Sequence, residues 1–420
     1  MRKILINTCI VLGITLVLFI SSEIALRIIF PDKRPVRENS VPKDVAYQFN
    51  EDYLVSLKPN MEKTHYLTTE NGVKSVLWRT NKNSFRGEEL DENPDIRIIV
   101  YGDSNIQARF LNLQDTFPYR LEKYLRNRLK KNIEVLNAGV IGFGPDQSLI
   151  RFSKEVDRYH PDIVIFHIFA DNDFGDIIRN RLFELDSAGN LIETSFKKEP
   201  DELLMETLSL KHSFHNFVSS LLIVRGAKKV LKRILPGKHQ NEHDKDLIHL
   251  YMSLIEAEYA VHKHGKSKQF SHFADHYDLD VAVSPDAESS VMKKKLMAAI
   301  LIKAKNLAAA KGVKFLVLIQ PSVIDLTENF AISYKDLIKY PGYKRTNLTD
   351  AIDSICTMNN IHKINLLNVF SGNNPEDLFL KGDNHWNERG QDVAARETAA
   401  YLLSNMMLKN NLRSSTVGQP

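Results

Sequence analysis

Cysteine is nearly absent from this chain. Only Cys9 and Cys356 stand among 420 residues, so neither a disulfide framework nor a cysteine zinc site can be assembled, and the low count leaves the compartment open. Net charge is also small, +4, which supports neither a nucleic-acid partner nor a specialist for acidic substrates. The glycines at 139, 142 and 144 are not spaced as Gly-x-Gly-x-x-Gly, and no acidic residue stands out about twenty positions on, so dinucleotide binding is rejected and no cofactor is expected. His262, His264, His272 and His276 lie close together, but their spacing follows no metal-binding pattern and Lys263, Lys266 and Lys268 interleave with them. A solvated segment without a metal is the expectation there. The long apolar lid pattern that would point to a lipase is missing too.

With 43% hydrophobic and 26% charged residues, the chain is globular, and long enough for one large domain with an insertion or for two domains. One long apolar run exists, seventeen uncharged residues from Ile4 to Ile20 after Arg2 and Lys3. At about 1.5 Å per residue it just crosses a bilayer core of about 30 Å. No small-x-small cleavage site and no lipid-attachment pattern at Cys9 accompanies it, so residues 1–30 read as an uncleaved signal anchor; a buried helix or a removed signal is the alternative. Arg27, Lys33, Arg34 and Arg37 place positive charge after the run as well, and orientation stays open on that count. Residues 31–93, with four prolines, read as a polar stalk and a lead-in ordered around Leu77 to Arg86.

The core pattern begins at Ile96. Apolar strand-like runs at Ile98 to Val100, Ile133 to Asn137, Asp162 to Ile168, Val313 to Ile319 and Ile361 to Leu367 alternate with helical patterns, among them Leu121, Leu125 and Leu129, Met292 to Ala310, and Arg389 to Leu403. That alternation indicates a mostly parallel α/β sheet covered on both faces. The core divides into 94–176 and 290–408, separated by a polar, helix-prone insertion at 177–289 that could cap a site; 409–420 reads as a disordered tail. The basic face Arg120, Lys123, Arg126, Arg128 and Lys130 reads as solvated. Arg225 to Lys238 reads as a basic amphipathic helix, either an ordinary surface helix or one resting on anionic lipid.

The strand ends carry the chemistry. Gly102 allows a change of direction, after which Ser104 sits at a strand's carboxyl end as a candidate nucleophile. Gly142 offers a backbone N–H close to a substrate, and Asn172 a side-chain amide, as two oxyanion donors. Asp383 and His385, two apart, supply an oriented base. Asp103 reads as a residue that fixes the turn.

These blocks resemble those of the SGNH (GDSL-type) esterases and acyl-hydrolases. Gly102-Asp103-Ser104 is similar to the first block, Asn137-Ala-Gly-Val-Ile-Gly142 to the second, Asp171-Asn172-Asp173 to the third, and Asp383 with His385 to the fifth. The resemblance covers roughly half the chain. It implies a flavodoxin-like three-layer sandwich, Ser104 as nucleophile, His385 as base, Asp383 as its orienter, and an oxyanion hole of the Ser104 and Gly142 N–H groups with the Asn172 amide; Gly139 is the second choice for the glycine. Two departures stand out: Ala170 replaces the third block's glycine, and aspartate and histidine are two apart rather than three. The Asp-x-His-Trp form resembles a variant in membrane-linked proteins that add or remove acetyl groups on envelope polysaccharides. The expected partners are therefore an ester-bearing carbohydrate and, through the N-terminal helix, a membrane, with the catalytic body periplasmic or extracellular. The expected activity is a serine esterase; an O-acyltransferase and a silent carbohydrate-binding protein are the alternatives.

Overall fold

A computed structural model describes residues 21–22, 46–69, 72–195, 240–264, 276–328, 334–381 and 383–405. The run Ile4–Ile20, the basic stretch Arg225 to Lys238, His272 and the 409–420 tail lie outside them, and among the described residues no helix is long and apolar enough to cross a membrane.

Two antiparallel hairpins come first: β1 (Tyr47–Asn50) with β2 (Leu54–Leu57), and β3 (Glu62–Thr69) with β4 (Gly72–Arg79). This corrects the stalk reading. Tyr47, Val55, Leu57 and Trp78 are buried, packed with Val140 and Phe143 of a core loop. The prolines that suggested a stalk lie outside the four strands, whose short apolar positions have a partner only once the core has folded.

Then follow β5 (Ile96–Gly102), α1 (Ser104–Gln107), α2 (Phe117–Leu129), β6 (Ile133–Gly139), α3 (Pro145–Tyr159), β7 (Ile163–Phe169), α4 (Asp173–Asn180), the hairpin β8 (Phe183–Leu185) and β9 (Leu191–Glu193), α5 (Gln240–His264), α6 (Leu279–Val283) and α7 (Glu288–Ala310). The chain continues through β10 (Lys314–Gln320), α8 (Val323–Leu326), α9 (Tyr334–Leu337), α10 (Asn347–Met358), β11 (Lys363–Asn365), α11 (Leu367–Gly372) and α12 (Glu388–Ser404).

The central sheet has the order β11-β10-β7-β5-β6, every pair parallel. Its strands are apolar without alternation because both faces are buried. Ile98, Val100, Ile165, Leu316 and Leu318 enter one hydrophobic cluster, with Leu121 and Leu125 of α2 and Ala395 and Leu402 of α12. Ile99, Tyr101, Phe166, Val317 and Ile319 enter the opposite one, with helices α3, α7 and α10. Neighbouring strand residues thus part to opposite faces, and the result is a three-layer sandwich with the flavodoxin-like order.

That order sets the position of the site. From β5 the chain turns to β6 on one side and later to β7, β10 and β11 on the other, so a crevice opens at the carboxyl ends of β5 and β7. Register aligns those ends: Gly102 pairs with Gly139, and Phe169 with Gln320.

The histidines of the insertion also need correction. His276 is fully buried, its Nε2 2.8 Å from Arg179 Nη1 and 2.7 Å from Glu258 Oε2. His262 is buried as well; burial, then the nearby Arg181, pushes its imidazole down to about 4. A solvated segment was wrong for both: His262 is carried on α5, which packs on α4, and His276, just before α6, joins a buried charged network of Asp176, Arg179, Glu258, Asp278, Asp280 and Lys293. Lys263, between His262 and His264 in sequence, points away from that interior, its ammonium 2.7 Å from Glu288 Oε1 on the surface. No group of residues able to hold a metal is present among the described residues.

Candidate active site

Three of the residues singled out in the sequence meet directly. The Ser104 hydroxyl lies 2.7 Å from His385 Nε2, and His385 Nδ1 is hydrogen-bonded to Asp383 Oδ1. With Nδ1–H donating to the carboxylate, Nε2 is the acceptor for the serine proton; this tautomer follows from the bonding pattern. The Asp383 carboxylate also accepts the His385 backbone N–H at 3.0 Å, closing a local turn. Asp383 is not a helix cap: Asn387 caps α12, accepting from the Arg389 and Gly390 N–H groups. The side chains of His385 and Asp383 are 26% and 30% exposed, so the pair is partly open to solvent.

Local chemistry explains the placement of Ser104. Asp103 is the N-cap of α1, its Oδ1 accepting from the Asn105 N–H at 2.8 Å, as expected of a residue fixing the turn. Ser104 is the first residue of α1, where a backbone N–H has no acceptor within its own helix. Gly102 differs from expectation: it is the last residue of β5, without the left-handed backbone that would call for glycine in a turn. Its lack of a side chain matters for packing: a Cβ there would lie 2.8 Å from Ile106 Cγ1 and 2.9 Å from His167 Cβ. Gly102→Ala should therefore destabilise the protein by about 1–3 kcal/mol through overpacking. Urea denaturation checks this, and an unchanged midpoint would mean that the sheet accommodates the methyl group.

The loop after β6 distinguishes the two candidate glycines. Gly139 donates its N–H to Asn137 Oδ1 at 3.0 Å, so that donor is already taken, and its Cα is pressed against Ile106 and Gln107. Gly142 sits at φ +70°, a left-handed conformation that suits glycine, in the loop that the N-terminal hairpins pack against. Asn172 follows β7 and makes no side-chain cap to α4; its Oδ1 is buried without a partner. An Asx turn is therefore not its role.

Several residues around the triad carried no signal as functional groups in the sequence. Asn105 Oδ1 accepts the Trp386 N–H at 3.0 Å. Asp171, fully buried, accepts from the Ser322 hydroxyl and, at 3.0 Å, from Asn384 Nδ2. His167 lies beneath, with Nε2 2.8 Å from Gln320 Oε1 and Nδ1 3.5 Å from Asp103 Oδ1. Burial lowers its imidazole despite the carboxylate, so it is neutral. Asp173 is pushed well above the ordinary carboxyl range by burial and then by Asp103 and Asp176. Trp386 is buried against Phe117, Phe370 and His167. The one clue in the sequence was position: Asn105, Asp171, Asn384 and Trp386 each adjoin a singled-out residue.

A flavodoxin-like sheet with serine, histidine and aspartate joined at its switch point defines an α/β protein with a serine-triad site. Residues 281–417 match the family described as ALGX, the SGNH hydrolase-like domain of acetyltransferase AlgX, and the chain resembles the SGNH (GDSL-type) hydrolases. The matched range includes His385 and Asp383, while Ser104, Gly142 and Asn172 lie before it. Among solved structures, the psychrotrophic esterase EstA from Pseudoalteromonas sp. is 11% identical, with 74% of this chain and 98% of that one covered and a TM-score of 0.34. The lipase/acylhydrolase from Enterococcus faecalis is 11% identical, with 74% and 96% covered and a TM-score of 0.35. The acetyl xylan esterase AlAXEase is 13% identical, with 73% and 100% covered and a TM-score of 0.35. No curated protein matches the sequence.

Proposed function

We propose that this protein is a serine esterase of SGNH type that removes acetyl groups from a carbohydrate ester of the cell envelope through an acyl-serine intermediate. The observation that carries the reading is the bonded series Ser104, His385, Asp383 at the sheet's carboxyl edge. Ser104 Oγ attacks the ester carbonyl as His385 Nε2 takes its proton, and Asp383 holds the resulting imidazolium. The tetrahedral intermediate's oxyanion is received by the Ser104 and Gly142 N–H groups and the Asn172 amide. Collapse expels the sugar hydroxyl, which leaves with the proton from His385. Water then repeats the sequence on the acyl-serine, releasing acetate and restoring Ser104. The exposure of His385 and Asp383 suits a polymeric substrate, and the uncharged run Ile4–Ile20 suits attachment to a membrane with the catalytic body outside the cell or in the periplasm.

A second reading is favoured by the family match, whose description names an acetyltransferase. A carbohydrate hydroxyl that reaches the acyl-serine before water makes the same site an O-acyltransferase.

The test is a burst and steady-state assay of the full-length protein with an activated acetyl ester, with and without oligosaccharide acceptors. A burst stoichiometric with enzyme, followed by turnover, supports the esterase. Acceleration by sugar, with acetyl appearing on it, supports the transferase. No acylation by folded protein points to a silent carbohydrate-binding module. Asn172→Ala should lower kcat roughly a hundred- to a thousandfold with an unchanged melting temperature, the usual cost of one oxyanion donor; near-normal turnover would remove Asn172 from the hole.

A further inference from the structure

Resting on the reading of this site as a serine triad, we propose that Asp171 and Asn384 are positioning residues whose mutual hydrogen bond sets His385 against Ser104. The bond from His385 to Asp383 joins residues two apart in one turn, so it orients the imidazole but says nothing about where that turn sits relative to the nucleophile. Long-range bonds must supply that placement. Two of them grip the residues on either side of His385. Asn384 Nδ2 donates to Asp171 Oδ2 at 3.0 Å, across 213 positions, and the Trp386 N–H donates to Asn105 Oδ1 at 3.0 Å, across 281. The first ties the turn to the loop of Asn172, the second to the loop of Ser104.

Asp171 is well prepared for this task. It is fully buried, and its Oδ1 is occupied by the hydroxyl of Ser322, itself buried and capping α8 through the Ile324 N–H. The carboxylate is thereby held from the β10 side while Oδ2 faces the catalytic turn. A carboxylate acceptor makes the bond from Asn384 charge-assisted, among the stronger hydrogen-bond types. Asn384 gives a reason for the residue between aspartate and histidine: a short side chain ending in a donor is what the buried carboxylate requires. Trp386 Nε1–H has no part in the fastening; the indole packs beneath the turn, 5.3 Å from the His167 ring centroid.

The experiment uses the full-length protein, 4-nitrophenyl acetate, and the variants Asn384→Ala, Asn384→Asp and the exchange Asp171→Asn with Asn384→Asp. Asn384→Ala should lower kcat about 10- to 100-fold, the scale of a small misplacement of reacting groups, with KM changed less than about twofold. The acid limb of its pH profile should stay in place while the plateau falls, because the His385–Asp383 contact is local to the turn. Asn384→Asp should be worse, since two carboxylates then face one another. The exchange restores a donor opposite an acceptor and should recover at least about tenfold over Asn384→Asp, a coupling expected only of residues in contact. A kcat for Asn384→Ala equal to wild type, or an exchange no better than Asn384→Asp, overturns the proposal.

A readout independent of turnover separates this proposal from the function it rests on. The His385 ring resonances in labelled wild-type protein should differ from those in Ser104→Ala, reporting the hydroxyl contact. That difference should disappear in the Asn384→Ala background and return in the exchange. If no ester acylates the wild type, the esterase and transferase readings fail while this comparison still decides the fastening; a difference that persists in Asn384→Ala overturns it.

Discussion

Ser104→Ala should reduce turnover of an activated acetyl ester roughly 10⁴- to 10⁶-fold, with the burst of acyl-enzyme lost entirely. No other change in the site should cost more. The hydroxyl is the only group removed, and in the proposed mechanism its oxygen forms the bond to the acyl group. Ser104 is half-buried, so the fold should hold, with stability within about 0.5 kcal/mol of wild type. His385→Ala should cost a similar factor, and the double variant little more than either alone, because the two side chains act as one unit through their 2.7 Å contact. Rates from stopped-flow acylation, alongside thermal melts, decide the matter. Acylation that survives Ser104→Ala would place the nucleophile elsewhere, and multiplicative losses in the double variant would mean that Ser104 and His385 do not share a step.

The largest effect on stability is expected far from the triad, at Lys293→Met. The Lys293 ammonium is fully buried, 2.9 Å from Asp278 Oδ1 and 2.7 Å from Asp280 Oδ1. Burial alone would lower it; the two carboxylates outweigh burial and raise it. A lysine raised on folding contributes its full stabilisation below its unfolded pKa and loses it only in strong alkali, so the contribution is complete at neutral pH. Removing the cation strands two buried carboxylates, one of which also receives the Gly175 N–H and the other the Ser289 hydroxyl. The cost should be about 3–5 kcal/mol at pH 7, read as a lower urea midpoint, and it should shrink toward pH 4 as the orphaned acids take up protons. Adding Asp278→Asn and Asp280→Asn to Lys293→Met should recover most of the loss. A single variant within 1 kcal/mol of wild type would mean that water reaches the network.

The parallel strands were legible in the sequence because a strand buried on both faces is a largely continuous apolar run, as at Ile98 to Val100 and Phe315 to Ile319. Ser104, His385 and Asp383 were legible as one set because a serine, a histidine and a carboxylate at strand ends are residue types suited to acyl transfer, and because their order matches the blocks they resemble. What could not be read were pairings between distant small polar residues. Asp171 and Asn384 look like ordinary turn residues until the sheet brings 213 positions together. His276 looked solvated for a related reason, as its partners Arg179 and Glu258 lie on two separate helices, α4 and α5. The first hairpin was hidden by brevity, since four-residue strands such as Tyr47–Asn50 carry too little periodicity to register. Gly102 was found for the wrong reason, because a glycine required by a close neighbour and one required by a turn look the same in sequence.

The hairpins do more than precede the sheet. Tyr47 is bonded to Gln107 at 3.1 Å, and Arg86, buried and lowered to about 9 by that burial, donates to the carbonyls of Gln107, Ala108 and Leu111 just past the nucleophile. Val140 and Phe143, on either side of Gly142, rest on the same hairpin cluster. The smallest unit that holds the candidate site together therefore begins near Ala46 rather than near Ile96, and a protein shortened to the five-stranded sheet should lose the scaffold of the loops that carry Ser104 and Gly142.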